Sequence, residues 1–467
     1  MQASSSRELQ RAIGLPRATA LVVGIIIGAS IFVQPSLISG EVPSVAGVLL
    51  VWAAAGILTL IGALVAAELA SAFPRTGGVY VFLREAYSPL VGFLWGWAMF
   101  WVMHTGIIAA IAMVFARYTG HFFPLGDGGL RFVAIAAIIA LSAVNYVGVR
   151  QGSAVQATLT VIKVAALALI VILGAWYAVG GPAAAGGVAD AAVPGPDAVQ
   201  SAAAPQAATT SIIPSLGAFL TAIVAGLFAF GGWHMVTYSA EETLDPVRTI
   251  PRALVIGTLT VTALYIAVNA AYLAVLPLST VVGSTRVAAD FADALLGAGG
   301  ASVMAAVVML STLGAITGII LAGPRVYLSM AQDGLLFEWA GAIHPRFRTP
   351  HHAIVLQAVW ASVLVATGSY RALFTRVIYT EWIFFGLMAA SLVILRRRPG
   401  YTPAYRVRGH PVLPAIFVAS TAAIVINQVV TDPIQSGLGL LLVLAGIPVY
   451  LIWAGRRRQE PVPHAGD

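Results

Sequence analysis

Apolar residues fall in a series of long runs, parted by short segments that hold nearly all of the charge. A helix that crosses a bilayer needs about 20 mostly apolar residues. Runs of that order lie near 17–39, 44–71, 88–117, 131–149, 154–179, 214–239, 252–276, 300–330, 353–369, 373–395, 411–430 and 436–454. The pattern predicts an all-α integral membrane protein with about twelve transmembrane helices. The third and eighth runs are long enough to tilt strongly or protrude.

Two runs are interrupted by small residues where a spanning helix is normally richest in Leu and Val. The first reads Gly24-Ile25-Ile26-Ile27-Gly28-Ala29-Ser30-Ile31-Phe32, and the sixth reads Gly226-Leu227-Phe228-Ala229-Phe230-Gly231-Gly232-Trp233. A spanning helix can unwind only where protein or a water-filled cavity receives its freed backbone groups. The unwound turn leaves bare N–H groups suited to a carboxylate and bare carbonyls suited to a cation. Paired interruptions in corresponding halves point to a transporter's substrate site. The same small residues also suit close helix packing. The candidate substrate-binding residues are Ile26, Ile27, Gly28, Ala29, Ser30 and Ile31 in the first run, with Phe228, Ala229, Phe230 and Gly231 in the sixth.

Composition removes whole classes of function. Charged residues make up 9% of the chain, against roughly 25% in soluble domains. The net charge of +7 therefore reads as loop arginines facing anionic lipid rather than nucleic acid. The outer segments hold only Arg117, Arg131, Arg286, Arg371 and Arg376, whereas Arg7, Arg11, Arg17, Arg150, Arg325, Arg396–Arg398 and the other arginines lie on the inner side. Both termini are accordingly expected in the cytoplasm, with the first span an uncleaved anchor. With no Cys, no disulfide and no thiolate metal site is available. No P-loop, H-E-x-x-H or G-x-S-x-G occurs in a plausible setting, so neither an enzyme nor a cofactor or metal is expected.

The chain divides into an inner segment at 1–16, five spans at 17–179, an outer Ala/Gly/Pro-rich loop at 180–213, five further spans at 214–395, two last spans with their preceding loop at 396–455, and an inner tail at 456–467. Each five-span half opens with a Gly-broken helix, and spans one and six run in opposite directions, as inverted repeats require.

Several motifs together resemble the amino acid–polyamine–organocation superfamily, within it the L-type amino acid transporter branch and its bacterial relatives. The branch's I-I-G-S-G-I-F is matched by Ile26-Ile27-Gly28-Ala29-Ser30-Ile31-Phe32, with the hydroxyl moved from the fourth position to the fifth. Gly62-Ala63-Leu64-Val65-Ala66-Ala67-Glu68-Leu69 with Thr76-Gly77-Gly78-Val79-Tyr80 is similar to its G-A-L-x-x-A-E-L…S-G-G-x-Y, and Phe228–Trp233 to its F-A-Y-G/D-G-W. Glu241–Pro251 fits E-E-x-x-x-P-x-R-x-I-P, and Ser311–Ala315 and Gly323-Pro324-Arg325 also fit. The resemblance implies the leucine-transporter fold, two inverted five-helix repeats plus two extra helices. It implies that broken helix one meets the substrate's carboxylate while carbonyls of helices one and six meet its ammonium. It also implies that Lys163 stands where sodium-coupled relatives hold a sodium ion. His234 replaces the Asn that often follows Trp233's position.

Two charges lie inside spans. Lys163 sits about 13–15 Å into span five, where an unpaired charge costs at least ~2.5–3.5 kcal/mol. It can bind a cation's place at broken helix one, or simply tie spans together. Glu381 can take up a proton, face a cationic substrate side chain, or pair with Arg376 or Arg371. Glu68, Trp233, His234 and Trp382 are candidate gating residues, and Phe228 is a candidate lid. His104 and His234 read as structural hydrogen-bonding residues ahead of proton relays.

These features predict a sodium-independent secondary transporter in the inner membrane that exchanges neutral amino acids by alternating access. A proton-coupled symporter, a cationic amino acid or polyamine exchanger, and a transporter-like sensor are the alternatives. The expected partners are an amino acid substrate and the lipid bilayer, with no nucleic acid and no disulfide-held subunit.

Overall fold

Helix ends are marked locally by capping chemistry. Ser44 accepts from the Gly47 N–H, Ser88 from Val91, Ser215 from Ala218 and Asp432 from Gln435. Pro16, Pro35, Pro89 and Pro246 occupy first turns, where the missing N–H has no helical partner anyway. The computed structural model describes residues 8–180, 215–297 and 299–457, without the side chains of 370–378 and 455–457. The expected loop at 180–213 beyond Gly180, and the tail from 458, lie outside the described residues.

Among the described residues, nine apolar helices are long enough to cross a membrane: Val45–Ala72, Pro89–Phe122, Asp127–Val147, Val149–Gly180, Leu216–Glu242, Pro246–Val275, Gly300–Gln332, Val412–Thr431 and Pro433–Ala454. Shorter apolar helices at Leu15–Ile26, His351–Thr367 and Tyr379–Leu395 complete the series. We number the spans one to twelve in chain order. Three local features depart from the hydropathy pattern. Span one is two short helices, Leu15–Ile26 and Gln34–Glu41, joined through a tight turn at Ser30–Phe32. Thr76–Gly78 leads into a buried helix, Val79–Ala86, instead of a loop. Two further short helices, Leu278–Gly283 and Val287–Leu296, lie between spans seven and eight.

Span one is the hub. It packs against spans five, seven and eight, while span two lies along span seven and span three along span eight. Spans eleven and twelve contact span ten. The residues leading into span one are bound by backbone to the end of span six: Ala12 and Ile13 donate to the Glu242 carbonyl at 2.9 and 3.0 Å, and Leu244 donates to Ile13 at 2.9 Å.

Candidate functional site

Span one stops at Ile27, whose ψ of 90° is extended. The N–H groups of Ala29, Ser30 and Ile31 then reach no other backbone acceptor among the described residues. Span six stops at Phe230 and restarts at Trp233 as a tighter helix, Trp233–Glu242. Between them Gly232 is left-handed, with φ 89°, and a Cβ there would lie 2.3 Å from Ile25 Cγ2. The two breaks therefore touch, and only glycine permits both the backbone angle and the approach.

Freed carbonyls need donors, and three side chains supply them. Lys163 Nζ is buried and donates to the carbonyls of Gly24 (2.9 Å), Ile27 (2.7 Å) and Ser311 (2.8 Å). All three protons of the ammonium are thus used, tying spans one, five and eight. Ser311 Oγ donates to Gly28 at 2.9 Å. Tyr265 hydroxyl lies 3.1 Å from the Ile26 carbonyl and 3.2 Å from that of Ala229, one from each break. These donors pair freed carbonyls inside the membrane, where leaving them bare is costly, with Tyr265 giving its one proton to either of its two carbonyls.

Beside the breaks is a cavity of about 260 Å³. Ile26, Gly28, Ala29, Ser30, Phe228, Gly231, Trp233, Glu381 and Trp382 line it, together with an apolar wall from Ile107, Ala110 and Ile111 of span three. Phe228 is 38% exposed, consistent with a position at the rim. Four of the candidate substrate-binding residues do not line the cavity. Ile27 presents its carbonyl to Lys163, Ala229 presents its carbonyl to Tyr265, and Ile31 is buried behind the turn. Phe230 is fully buried, its ring 5.1 Å from Tyr265 and 6.5 Å from Trp52.

His234 lies directly behind the lining, fully buried among Trp95, Trp233, Tyr238 and Phe385. Its Nε2 is 3.8 Å from Glu381 Oε1. The arginines at 371 and 376, considered as partners of Glu381, have side chains outside the described set. His104 meets the Tyr327 hydroxyl through Nδ1 at 3.0 Å.

Glu68 is far from the cavity. It accepts from Arg396 Nε at 2.8 Å and Nη2 at 2.5 Å, and from the Val407 N–H at 2.6 Å. Two more clusters close the same membrane face. Arg325 Nε and Nη2 clasp Glu242 at 2.7 and 2.9 Å, both side chains fully buried. Asp333 accepts from Tyr80 at 2.6 Å and from Arg84. Gly77 and Gly78, both at positive φ, let the Thr76–Gly78 turn press on Thr237 and Ser329, where a Cβ would come within 2.1 and 2.9 Å. Sequence reasoning passed over Tyr265; it singled out Glu242 and Arg325 in their motifs but not their pairing. The signal for the pair was a lone arginine late in an otherwise apolar span; a tyrosine within a span gives no comparable signal.

Two helices broken at facing positions, a chamber beside them and an ammonium buried against one break define a membrane permease of the inverted-repeat class. The chain belongs to the amino acid permease family, whose model matches residues 13–452. It is 31% identical over 448 residues to the serine/threonine exchanger SteT of Bacillus subtilis, covering 95% of this chain and 96% of that protein. It is 30% identical over 449 residues to the large neutral amino acids transporter small subunit 2 of Homo sapiens, covering 95% and 80%. The Asc-type amino acid transporter 1 of Mus musculus is 29% identical over 468 residues, covering 99% and 84%.

Proposed function

We propose that this chain is a secondary transporter that exchanges neutral amino acids by alternating access and needs no sodium. It lies in the inner membrane with both termini in the cytoplasm, has no catalytic role and works without a disulfide-held subunit. The observation that carries this reading is Lys163, whose ammonium occupies a cage of three carbonyls beside the first break. A fixed charge there does the electrostatic work of a bound cation, so none has to be carried. The bare N–H groups at Ala29–Ile31 suit the substrate carboxylate. The cavity's size and its span-three wall suit a small or medium side chain. Relatives named as a serine/threonine exchanger and a large neutral amino acids transporter support the substrate class.

The three ion clusters lie on the arginine-rich face, so the described state is closed on the side read as cytoplasmic. Vesicles containing the purified protein and preloaded with unlabelled serine, threonine, alanine or leucine should accelerate uptake of the labelled amino acid. Uptake should persist when sodium is replaced by choline. Uptake that appears only when sodium is restored would overturn the sodium-independent reading, and no acceleration by any preloaded amino acid would overturn exchange.

A further inference from the structure

Glu381 sits in the wall of the cavity with its side chain 10% exposed. Among the described side chains, the basic group within 4 Å of it is His234, Nε2 to Oε1 at 3.8 Å. Both ring nitrogens of His234 are buried and make no hydrogen bond. We propose that Glu381 and His234 together form a binding site for one proton in the wall of the substrate cavity, and that the proton is taken up when a neutral substrate fills the cavity. This rests on reading the cavity as the substrate site.

The argument is one of charge balance in a place shielded from water. A carboxylate beside a neutral imidazole leaves a bare negative charge, and a carboxylic acid beside an imidazolium leaves a bare positive one. With one proton, on the carboxyl oxygen, the pair is neutral overall as carboxylic acid and imidazole. In the open cavity water can solvate the carboxylate. A bound neutral amino acid displaces that water, which favours the one-proton state. By linkage, substrate and proton then strengthen each other's binding equally.

No other described charge neutralises the pair. Span ten adds Trp382 and Phe385, and span one presents Ser30 and Gln34 to the cavity. Lys163 is committed to its three carbonyls. The remaining ionisable neighbours are tyrosine and histidine side chains, of which Tyr238 also interacts electrostatically with Glu381. Tyr238 of span six has its ring 5.5 Å from His234 and 5.7 Å from His104 of span three, which in turn bonds Tyr327 of span eight. Tyr238 Oη and His104 Nε2 are likewise buried and make no hydrogen bond.

Infrared difference spectra of the purified full-length protein, titrated with and without L-serine or L-leucine, test the site. The expected result is a protonated-carboxyl band that titrates within the pH range the protein tolerates. It should vanish in Glu381→Gln, move to a different pH in His234→Gln, and grow on adding the amino acid. Calorimetry in two buffers of different ionisation heat should then register uptake approaching about one proton per bound substrate in the wild type and none in Glu381→Gln. A Glu381 band absent across that range, or one that neither His234→Gln nor substrate shifts, overturns the proposal. If the band titrates, vanishes in Glu381→Gln and moves in His234→Gln, but no amino acid in a broad panel binds, the proton site stands and the substrate reading fails.

Discussion

Lys163 Nζ lies 2.7 Å from the carbonyl of Ile27, the residue at which span one stops being a helix. The same ammonium reaches Gly24 one turn earlier and Ser311 on span eight. Replacing Lys163 with Met keeps the bulk of the side chain and leaves the three carbonyls without their donor. A buried acceptor left bare costs about 1–3 kcal/mol, so the break should lose its geometry before the protein loses its fold. Lys163→Met is expected to lower the unfolding temperature and to cut amino acid counterflow at least tenfold. Unfolding in detergent and counterflow in vesicles check the two effects separately. Unchanged counterflow would remove Lys163 from the mechanism.

Gly232 makes a sharper test because its constraint is steric. The residue is left-handed, and its Cβ would meet Ile25 of the other broken helix at 2.3 Å. Gly232→Ala should force the breaks apart and abolish transport, at a stability cost of roughly 1–3 kcal/mol for the strained backbone. Gly28→Ala is the control, since a Cβ there meets nothing closer than 3.7 Å. It should fold normally and alter substrate affinity more than stability. If the two variants behave alike, the contact between the breaks is not what the site depends on.

The charge clusters on the arginine-rich face predict a shift in conformational balance. Glu68 is fully buried and is held by Arg396 and the Val407 N–H, so Arg396→Ala removes the main counter-charge of a group that cannot reach water in this state. Opening that face would relieve it. The chain has no native Cys, so Ala110→Cys in the cavity wall gives a single reporter. A membrane-impermeant thiol reagent added from the arginine-rich side should label it several-fold faster when Arg396→Ala is also present. An unchanged rate would mean that the cluster does not close this face.

Hydropathy made the twelve apolar units legible, because span length and the charge of the intervening segments are both set by the bilayer. The breaks were legible as well, since small residues at mid-depth go against what a continuous spanning helix prefers. Lys163 stood out for the same reason: an ammonium at that depth demands a partner. The sequence could not say which partner, because Lys163 and Ser311 are brought together only by the packing of spans five and eight. Glu68 and Arg396 likewise lie on different spans. Phe228 and Phe230 show the other limit. Residues two apart at a helix end point to nearly opposite sides, so the period separates the two rings without saying which meets the cavity: Phe228 lines it, while Phe230 turns into the core against Tyr265. Tyr265 itself was hidden because a tyrosine inside a span reads as packing.

Tyr265 therefore carries the last prediction. Its hydroxyl stands between the carbonyls of Ile26 and Ala229, at 3.1 and 3.2 Å. One hydroxyl has one proton, so it donates to one of these carbonyls at a time and leaves the other free for a cation. A substrate ammonium arriving between the breaks could then take one carbonyl while the hydroxyl holds the other. Tyr265→Phe keeps the ring that packs on Trp52 and Phe230, so stability should fall by no more than the net value of one hydrogen bond, about 0.5–1.5 kcal/mol. Exchange should suffer more, because the two carbonyls lose the one donor they share and the relation between the breaks is held less firmly. The expected result is a loss of counterflow of about tenfold, equivalent to ~1.4 kcal/mol, with a small shift in unfolding temperature. If stability and exchange fall together in proportion, the hydroxyl is a packing feature of span seven. If exchange falls and stability does not, the hydroxyl couples the two breaks to the substrate.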